Sequence, residues 1–161
     1  MAYGSILKSS ATYKKFFNSI KSKIIKASKY SVVEHVGGTS LKTPTGKGDV
    51  DIYVGYKNQT HKKELQTILT TLFGKPAKVT LDRARYNLYM DGVEIEIQLA
   101  SGASLQRAVA LRDYLNGNSV AAKQYASSIM KLRQQFLKDM FKVKSTFTEK
   151  ALHIARQNVK K

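Results

Sequence analysis

Two pairs of acidic residues have the spacing expected of a metal-binding site on a β-sheet. Asp49 and Asp51 occur in "GDVDIYV", and Glu94 and Glu96 occur in "VEIEIQL". In a strand, residues i and i+2 project from the same face, so each pair would share one face while its apolar neighbours face the core. If the two strands are adjacent, three or four carboxylates converge. Such a cluster needs a counter-charge, and Mg²⁺ prefers carboxylate and phosphate oxygens.

Two magnesium ions in such a cluster would support phosphoryl transfer. Ions held about 4 Å apart can stabilise the attacking and leaving oxygens of an in-line displacement. A solvent-exposed sheet face is the alternative explanation, and it accounts well for Glu94 and Glu96. It accounts less well for Asp49 and Asp51, because Asp is depleted in strands.

A glycine turn precedes the aspartates in the stretch "EHVGGTSLKTPTGKGDVDI". Gly37 and Gly38 would let the backbone approach a ligand closely. If a short helix begins here, its N–H groups and the hydroxyls of Thr39 and Ser40 would bind phosphate oxygens. An ordinary turn is the alternative.

The loop between the turn and the aspartates contains Lys42 and Lys47, which would either neutralise a triphosphate or remain exposed. The loop does not contain the G-x-x-x-x-G-K-[ST] pattern of a Walker loop. His35 lies just before the glycines, and we expect a structural role for it.

The predicted elements form an α+β fold, in which a mixed β-sheet is flanked by helices and followed by a helical C-terminal part. We treat 1–161 as a single domain with a core at about 28–103 and C-terminal helices at about 104–161. Asp91-Gly92 is typical of a two-residue hairpin turn. The predicted helices are 12–27, 59–73, 104–116, 119–141 and 147–159, and the predicted strands are 31–36, 49–56, 79–81, 85–90 and 93–99.

The charge of the chain indicates a polyanionic partner such as RNA. The net charge is +17, and it is unevenly spread, with +8 over residues 1–47, zero over 48–100 and +9 over 101–161. A lysine-rich solvated surface is the alternative. The chain has no cysteine and no apolar run near the roughly 20 residues that span a bilayer, so we expect a cytoplasmic protein without a membrane partner.

The motifs resemble those of the polymerase-β-type nucleotidyltransferase superfamily, and more closely its GrpB-like branch. The first likeness lies in Val36-Gly37-Gly38, in Asp49-x-Asp51 and in the later acid Glu96 within an apolar strand. The likeness to the GrpB-like branch lies in "EHVGGTSLKTPTGKGDVDI", "LRDYL" and "KSTF". Three features depart from that branch: Asp49 replaces an apolar residue, Glu94-Ile95-Glu96 replaces a His-x-His strand, and Gly38 replaces a Ser.

The resemblance implies transfer of a nucleoside monophosphate from an NTP to a hydroxyl, with loss of pyrophosphate. It implies that Asp49 and Asp51 hold two Mg²⁺ ions and that Glu96 shares one ion and helps to take the proton from the acceptor. Glu94 is the alternative third carboxylate. Gly37, Gly38 and Ser40 would hold the triphosphate.

Two residues in the C-terminal motifs, Arg112 and Lys144, would contact phosphate or the acceptor, or serve as structural partners; for Arg112 these would be Asp113 or the sheet acids. The basic flanks favour an RNA acceptor, such as a tRNA end. The alternatives are the same chemistry on a small molecule or protein side chain, and a non-catalytic nucleic-acid-binding module.

Overall fold

The computed structural model describes residues 6–133 and 137–159 of the chain, which form five helices and five strands. The helices are α1 (Ser10–Ala27), α2 (Gln59–Phe73), α3 (Gly102–Gly117), α4 (Ser119–Arg133) and α5 (Leu137–Val159). The strands are β1 (Val32–Val36), β2 (Val50–Tyr56), β3 (Lys78–Val79), β4 (Ala84–Met90) and β5 (Val93–Ser101). A single 3₁₀ turn, Gly38–Ser40, follows β1.

The five strands form one mixed sheet in the order β1-β2-β5-β4-β3. β2 and β5 are parallel, and the other neighbours are antiparallel. Because side chains alternate along each strand, the register decides which residues meet on each face. One row across the sheet consists of Val36, Asp51, Glu96 and Asn87.

One face of the sheet is apolar and packs against α1 and α2. Ile52 and Ile95 on the sheet, Ile24 on α1 and Leu69 on α2 are fully buried in this core. Each such side chain contributes about 1.5–3 kcal/mol by leaving water. Ser9 caps α1 by accepting a hydrogen bond from the Thr12 backbone N–H at 3.2 Å, which fixes where this covering helix begins.

The opposite face carries the acids and is approached by α3 from the β1 side. Leu105 of α3 lies against Gly55 of β2, where a Cβ would come within 3.1 Å of the leucine side chain. α3 packs in turn against α4 and α5 around a second apolar cluster. The buried members of that cluster are Leu41, Leu115, Ala121, Tyr125 and Ile129.

The predicted fold class is confirmed, and most element boundaries agree within two residues. The Asp91-Gly92 hairpin is present, and both residues have the positive φ that a type I′ turn requires. One boundary prediction was wrong, because the break expected between 141 and 147 lies inside α5. Val143 and Phe147, one turn apart, both pack on the second cluster, so tertiary contacts sustain the helix through this polar stretch.

Candidate functional site

The acids of the two strands meet at the centre of the sheet. Asp51 on β2 is the direct register partner of Glu96 on β5, so the two side chains lie side by side on the face opposite α1 and α2. Asp49 immediately precedes β2, two residues from Asp51, and Glu94 lies two residues before Glu96. The alternation of burial along both strands places all the intervening apolar residues in the core.

Asp51 is the most perturbed carboxyl of this group. Burial, reinforced by the negative charges of Asp49 and Glu96, raises its pKa to about 8. The positive charges of Lys144 and Lys47 act in the opposite direction without compensating for it. Ionisation of Asp51 is therefore costly in the absence of a cation, and a bound cation would favour the charged carboxylate.

Three of the acids have partners of their own. The Lys47 ammonium lies 3.1 Å from Asp49 Oδ2, whose side chain is 14% exposed. The Asn87 amide donates to Glu94 Oε1 at 3.0 Å, and the Gln98 amide donates to Glu96 Oε1. Burial lowers the pKa of Lys47. Its hydrogen bond to Asp49 and the negative charges of the surrounding acids together raise the pKa by more than burial lowers it, so the net shift is upward.

The glycine turn fits closely around the aspartates. Gly37 has φ 75° and ψ −174°, a conformation that essentially only glycine adopts. A Cβ at Gly37 would overlap the Asp51 carboxylate, and a Cβ at Gly38 would overlap the Thr45 carbonyl oxygen. The Thr45 N–H donates to the Gly38 carbonyl at 3.0 Å and closes the loop against the turn. Both glycines are therefore required by close packing, and Gly37 specifically by Asp51.

The Thr39 hydroxyl, which the sequence predicts as a phosphate ligand, is used to position the aspartates. Thr39 is 2% exposed, and its hydroxyl donates to the Asp49 carbonyl at 2.8 Å. Because that hydroxyl has one proton, the hydrogen bond of 3.0 Å between Thr39 Oγ1 and His35 Nε2 has the imidazole as donor. The His35 ring stacks on Phe17 with ring centroids 5.2 Å apart.

His35 is neutral in this arrangement and has a structural role. Burial, with a smaller contribution from the positive charge of Arg112, lowers its pKa to about 4. A neutral ring keeps one N–H for Thr39 and so holds the start of β2 in place.

The remaining predicted phosphate ligands of the loop differ in their surroundings. The Ser40 hydroxyl donates to the Gly37 carbonyl at 2.6 Å, inside the turn. The Lys42 side chain is exposed, while its backbone N–H donates to Asn116 Oδ1 at 2.8 Å. This bond joins the loop to α3.

Of the two C-terminal residues, the structure brings Lys144 to the acids and makes Arg112 a structural link. Lys144 is exposed on α5, and its charge acts on Asp51. The Arg112 guanidinium donates to Glu34 Oε2 at 2.7 Å, to the His35 carbonyl at 3.0 Å and to Asp113 Oδ1 at 2.9 Å. Arg112 thus joins α3 to β1, which is the structural alternative considered from the sequence.

Tyr125 on α4 interacts electrostatically with the site, which the sequence did not indicate. Burial, together with the negative charge of Asp51, raises its pKa to about 12, so the phenol lies within the field of the carboxylate. Its ring packs edge-on against Phe147 with centroids 5.2 Å apart. With Ala121 and Ile129 one turn away on either side, the sequence pattern indicates only a core position.

The donor set fits magnesium held jointly with a substrate. Within the described part of the chain, no three His, Asp or Glu side chains form a group that would hold a metal ion unaided. Mg²⁺ is commonly bound by one or two carboxylates together with substrate phosphates and water. Asp49 and Asp51, on one face beside the glycine turn, provide such a pair, and their oxygen ligands suit Mg²⁺ or Mn²⁺.

Comparison with known proteins agrees with these motifs. A family model described as "GrpB protein" matches residues 5–154. The chain belongs to the GrpB family. A crystal structure of the conserved protein GrpB from Enterococcus faecalis superimposes with a TM-score of 0.70 at 16% identity, covering 89% of this chain and 94% of the other. The predicted family is thus confirmed, and the GrpB fold is shared over nearly the whole chain.

A more distant similarity involves Cid1 poly(U) polymerase with bound MgGTP. Its TM-score is 0.47 at 9% identity, covering 74% of this chain and 43% of that one. Among curated proteins, no match to the GrpB chain was found. Within the described residues, none of the helices has the length and apolar character to cross a lipid bilayer.

Proposed function

We propose that this GrpB chain is a magnesium-dependent nucleotidyltransferase that moves a nucleoside monophosphate from an NTP to a hydroxyl. The observation that carries the proposal is the pairing of Asp51 with Glu96 across β2 and β5, beside a glycine turn and one step from Asp49. The raised pKa of Asp51 supports the proposal. This carboxyl group is costly to ionise alone, and a bound cation would stabilise its ionised form.

Each residue has a role in this reaction. Asp49 and Asp51 would hold magnesium, which would stabilise the charge of the transferring phosphoryl group. The acceptor hydroxyl oxygen attacks the α-phosphorus, the bond to the bridging oxygen breaks and pyrophosphate leaves. Glu96, with Glu94 as the alternative, takes the hydroxyl proton. Gly37 lets the turn pass directly against the Asp51 carboxylate, so the triphosphate would bind along the backbone of that turn.

The cations at the edge of the site would bind the triphosphate. Lys47 is 51% exposed at its side chain although it contacts Asp49, so its ammonium is accessible to a substrate. Lys144 is exposed on α5, and its positive charge acts on Asp51. Lys42 is exposed in the same loop as Lys47. Ser40 would contribute its hydroxyl after turning away from the Gly37 carbonyl.

The proposed acceptor is RNA, such as a tRNA end, because the chain has a net charge of +17 concentrated outside the acidic segment. Incubation of the protein with each α-labelled NTP, Mg²⁺ and total cellular RNA tests this directly. We expect label in an RNA species and none when EDTA is added. Label in small molecules or in protein would identify a different acceptor for the same transfer reaction. Absence of label from every fraction would contradict the proposal.

A non-catalytic nucleic-acid-binding module is the second candidate. The specific observation in its favour is that Lys47, Asn87 and Gln98 already pair with three of the acids. It predicts RNA binding that Asp51→Asn leaves intact or strengthens, with no incorporation of NTP by either protein.

A further inference from the structure

A basic cavity lies on the carboxylate face of the sheet, next to the acids. It has a volume of about 180 Å³ and is lined by Lys78, Thr80, Arg83, Arg85 and Gln98. Lys78 on β3 pairs with Arg85 on β4, which pairs with Gln98 on β5. Gln98 lies two residues from Glu96 on the same strand face, about 6–7 Å along the strand. We call this group the basic cavity.

The basic cavity has three cations and no acidic lining residue. Within the described part of the chain, none of the three forms an ion pair with a carboxylate. Arg85 Nε is shielded from solvent and has no hydrogen-bond partner among the described residues. A buried N–H donor without an acceptor is destabilising, so the cavity favours an incoming anion.

Arg83 is held in place for such a ligand. Its guanidinium donates to Gln98 Oε1 at 2.9 Å and to the Tyr53 hydroxyl at 3.3 Å, and it lies 5.9 Å from the centre of the Tyr53 ring. An arginine fixed by neutral partners keeps its full charge. Its planar fork also suits the oxygens of a phosphate group.

Gln98 connects the basic cavity to the proposed reaction site. Its carbonyl oxygen accepts from Arg83, and its amide donates to Glu96. An anion in the cavity would therefore lie beyond Glu96, on the side away from the glycine turn and the triphosphate.

We propose that the basic cavity is a phosphate-binding site. Its assignment to a backbone phosphate of the acceptor strand rests on the proposed function, whereas phosphate binding itself does not. Free inorganic phosphate has the same oxygen acceptors as an RNA backbone phosphate. We distinguish these two ligands by measuring the binding of each one.

The test compares two double variants that each remove two positive charges. Arg83→Gln/Arg85→Gln alters the cavity, and Lys15→Gln/Lys23→Gln alters exposed lysines of α1 on the opposite face of the sheet. Binding of a fluorescent single-stranded oligoribonucleotide is measured by anisotropy at several salt concentrations, without NTP or Mg²⁺. Binding of inorganic phosphate is measured by calorimetry.

We expect the cavity variant to bind the oligoribonucleotide about tenfold more weakly than the control variant, as for loss of one charged hydrogen bond. Its salt dependence should flatten by about 0.7 in log K per log salt for each RNA phosphate that the variant no longer neutralises. Lys78→Gln alone, at an exposed position on the edge strand, should show a smaller decrease in affinity with unchanged thermal unfolding, which separates binding from folding.

If the cavity variant binds both the oligoribonucleotide and inorganic phosphate as tightly as the control variant does, the proposal is overturned. Loss of phosphate binding alone would support the site and identify free phosphate as its ligand. These measurements omit NTP and metal, so they test the cavity independently of the proposed transferase reaction. A negative result for the cavity would not contradict that reaction, and absence of the reaction would not contradict phosphate binding in the cavity.

Discussion

Asp51 lies directly opposite Glu96 across the parallel strands β2 and β5, and a Cβ at Gly37 would overlap the Asp51 carboxylate. These contacts fix the position of one acid from two sides. The first comes from the sheet register and the second from a turn that only glycine can form. Thr39 adds a third constraint through the carbonyl of Asp49. The site is thus built on rigid elements, as a metal-assisted reaction requires.

Gly37→Ala should destabilise the protein more than Gly74→Ala. Gly74 ends α2 with nearly the same conformation, φ 85° and ψ −169°, but has open space where a Cβ would lie. Both changes incur backbone strain of about 1–3 kcal/mol, and only Gly37→Ala adds an overlap that costs roughly 1–3 kcal/mol. Chemical denaturation measures the difference, and equal decreases in stability would show that Gly37 does not pack on Asp51.

His35 should contribute a loss of stability in acid, opposite in sign to the gain that protonation of Asp51 provides. The folded pKa of His35, about 4, is below the ordinary 6.5, so the unfolded state takes up the proton first and stability is lost as pH falls from 6.5 to 4. The loss attributable to His35 is roughly 3 kcal/mol. In His35→Gln, where an amide replaces the imidazole donor, the change in unfolding free energy from pH 7 to pH 4 should be more favourable to the folded state than in the parent, by roughly that amount. An unchanged acid dependence would contradict the neutral, buried imidazole.

Magnesium with NTP should raise the melting temperature of the parent protein and not that of Asp51→Asn. A ligand that binds only the folded state at 100 times its dissociation constant adds about 2.7 kcal/mol. For a chain of this length that corresponds to roughly 5 °C or more. In EDTA, Asp51→Asn should melt at or above the parent temperature, because it removes a buried ionisable carboxyl and its repulsion with Asp49 and Glu96. Equal shifts in both proteins would place the metal elsewhere.

Arg112→Gln should lower stability without specifically weakening NTP binding. The guanidinium links α3 to Glu34 and to the His35 carbonyl, with 19% of its side chain exposed. A double-mutant cycle with Glu34→Gln should give a coupling of about 1 kcal/mol. A raised KM for NTP with unchanged thermal unfolding would instead support the phosphate-binding role predicted from the sequence.

The sequence predicts the local parts of the site better than their assembly. Alternation shows that Asp49 and Asp51 share a face, since the period of a strand is two. It cannot show that Glu96 is opposite Asp51, because that register depends on which strands become neighbours. The position of Thr39 depends on a hydrogen bond to a residue ten positions away.

The C-terminal helices show the same limit. Tyr125 has the spacing of a core residue, and only the packing of α4 brings its phenol near Asp51. The basic cavity combines Lys78, Arg83 and Arg85, which have no motif in the sequence and meet only through the pairing of β3, β4 and β5.

Incorporation of α-labelled NTP by Asp51→Asn, compared with Glu64→Gln, tests the central claim most directly. Glu64 is an exposed acid on α2, on the apolar side of the sheet, so its removal controls for the change in charge. We predict that Asp51→Asn abolishes magnesium-dependent incorporation while Glu64→Gln retains the parent rate. Parent-level turnover by a folded Asp51→Asn protein would contradict the account.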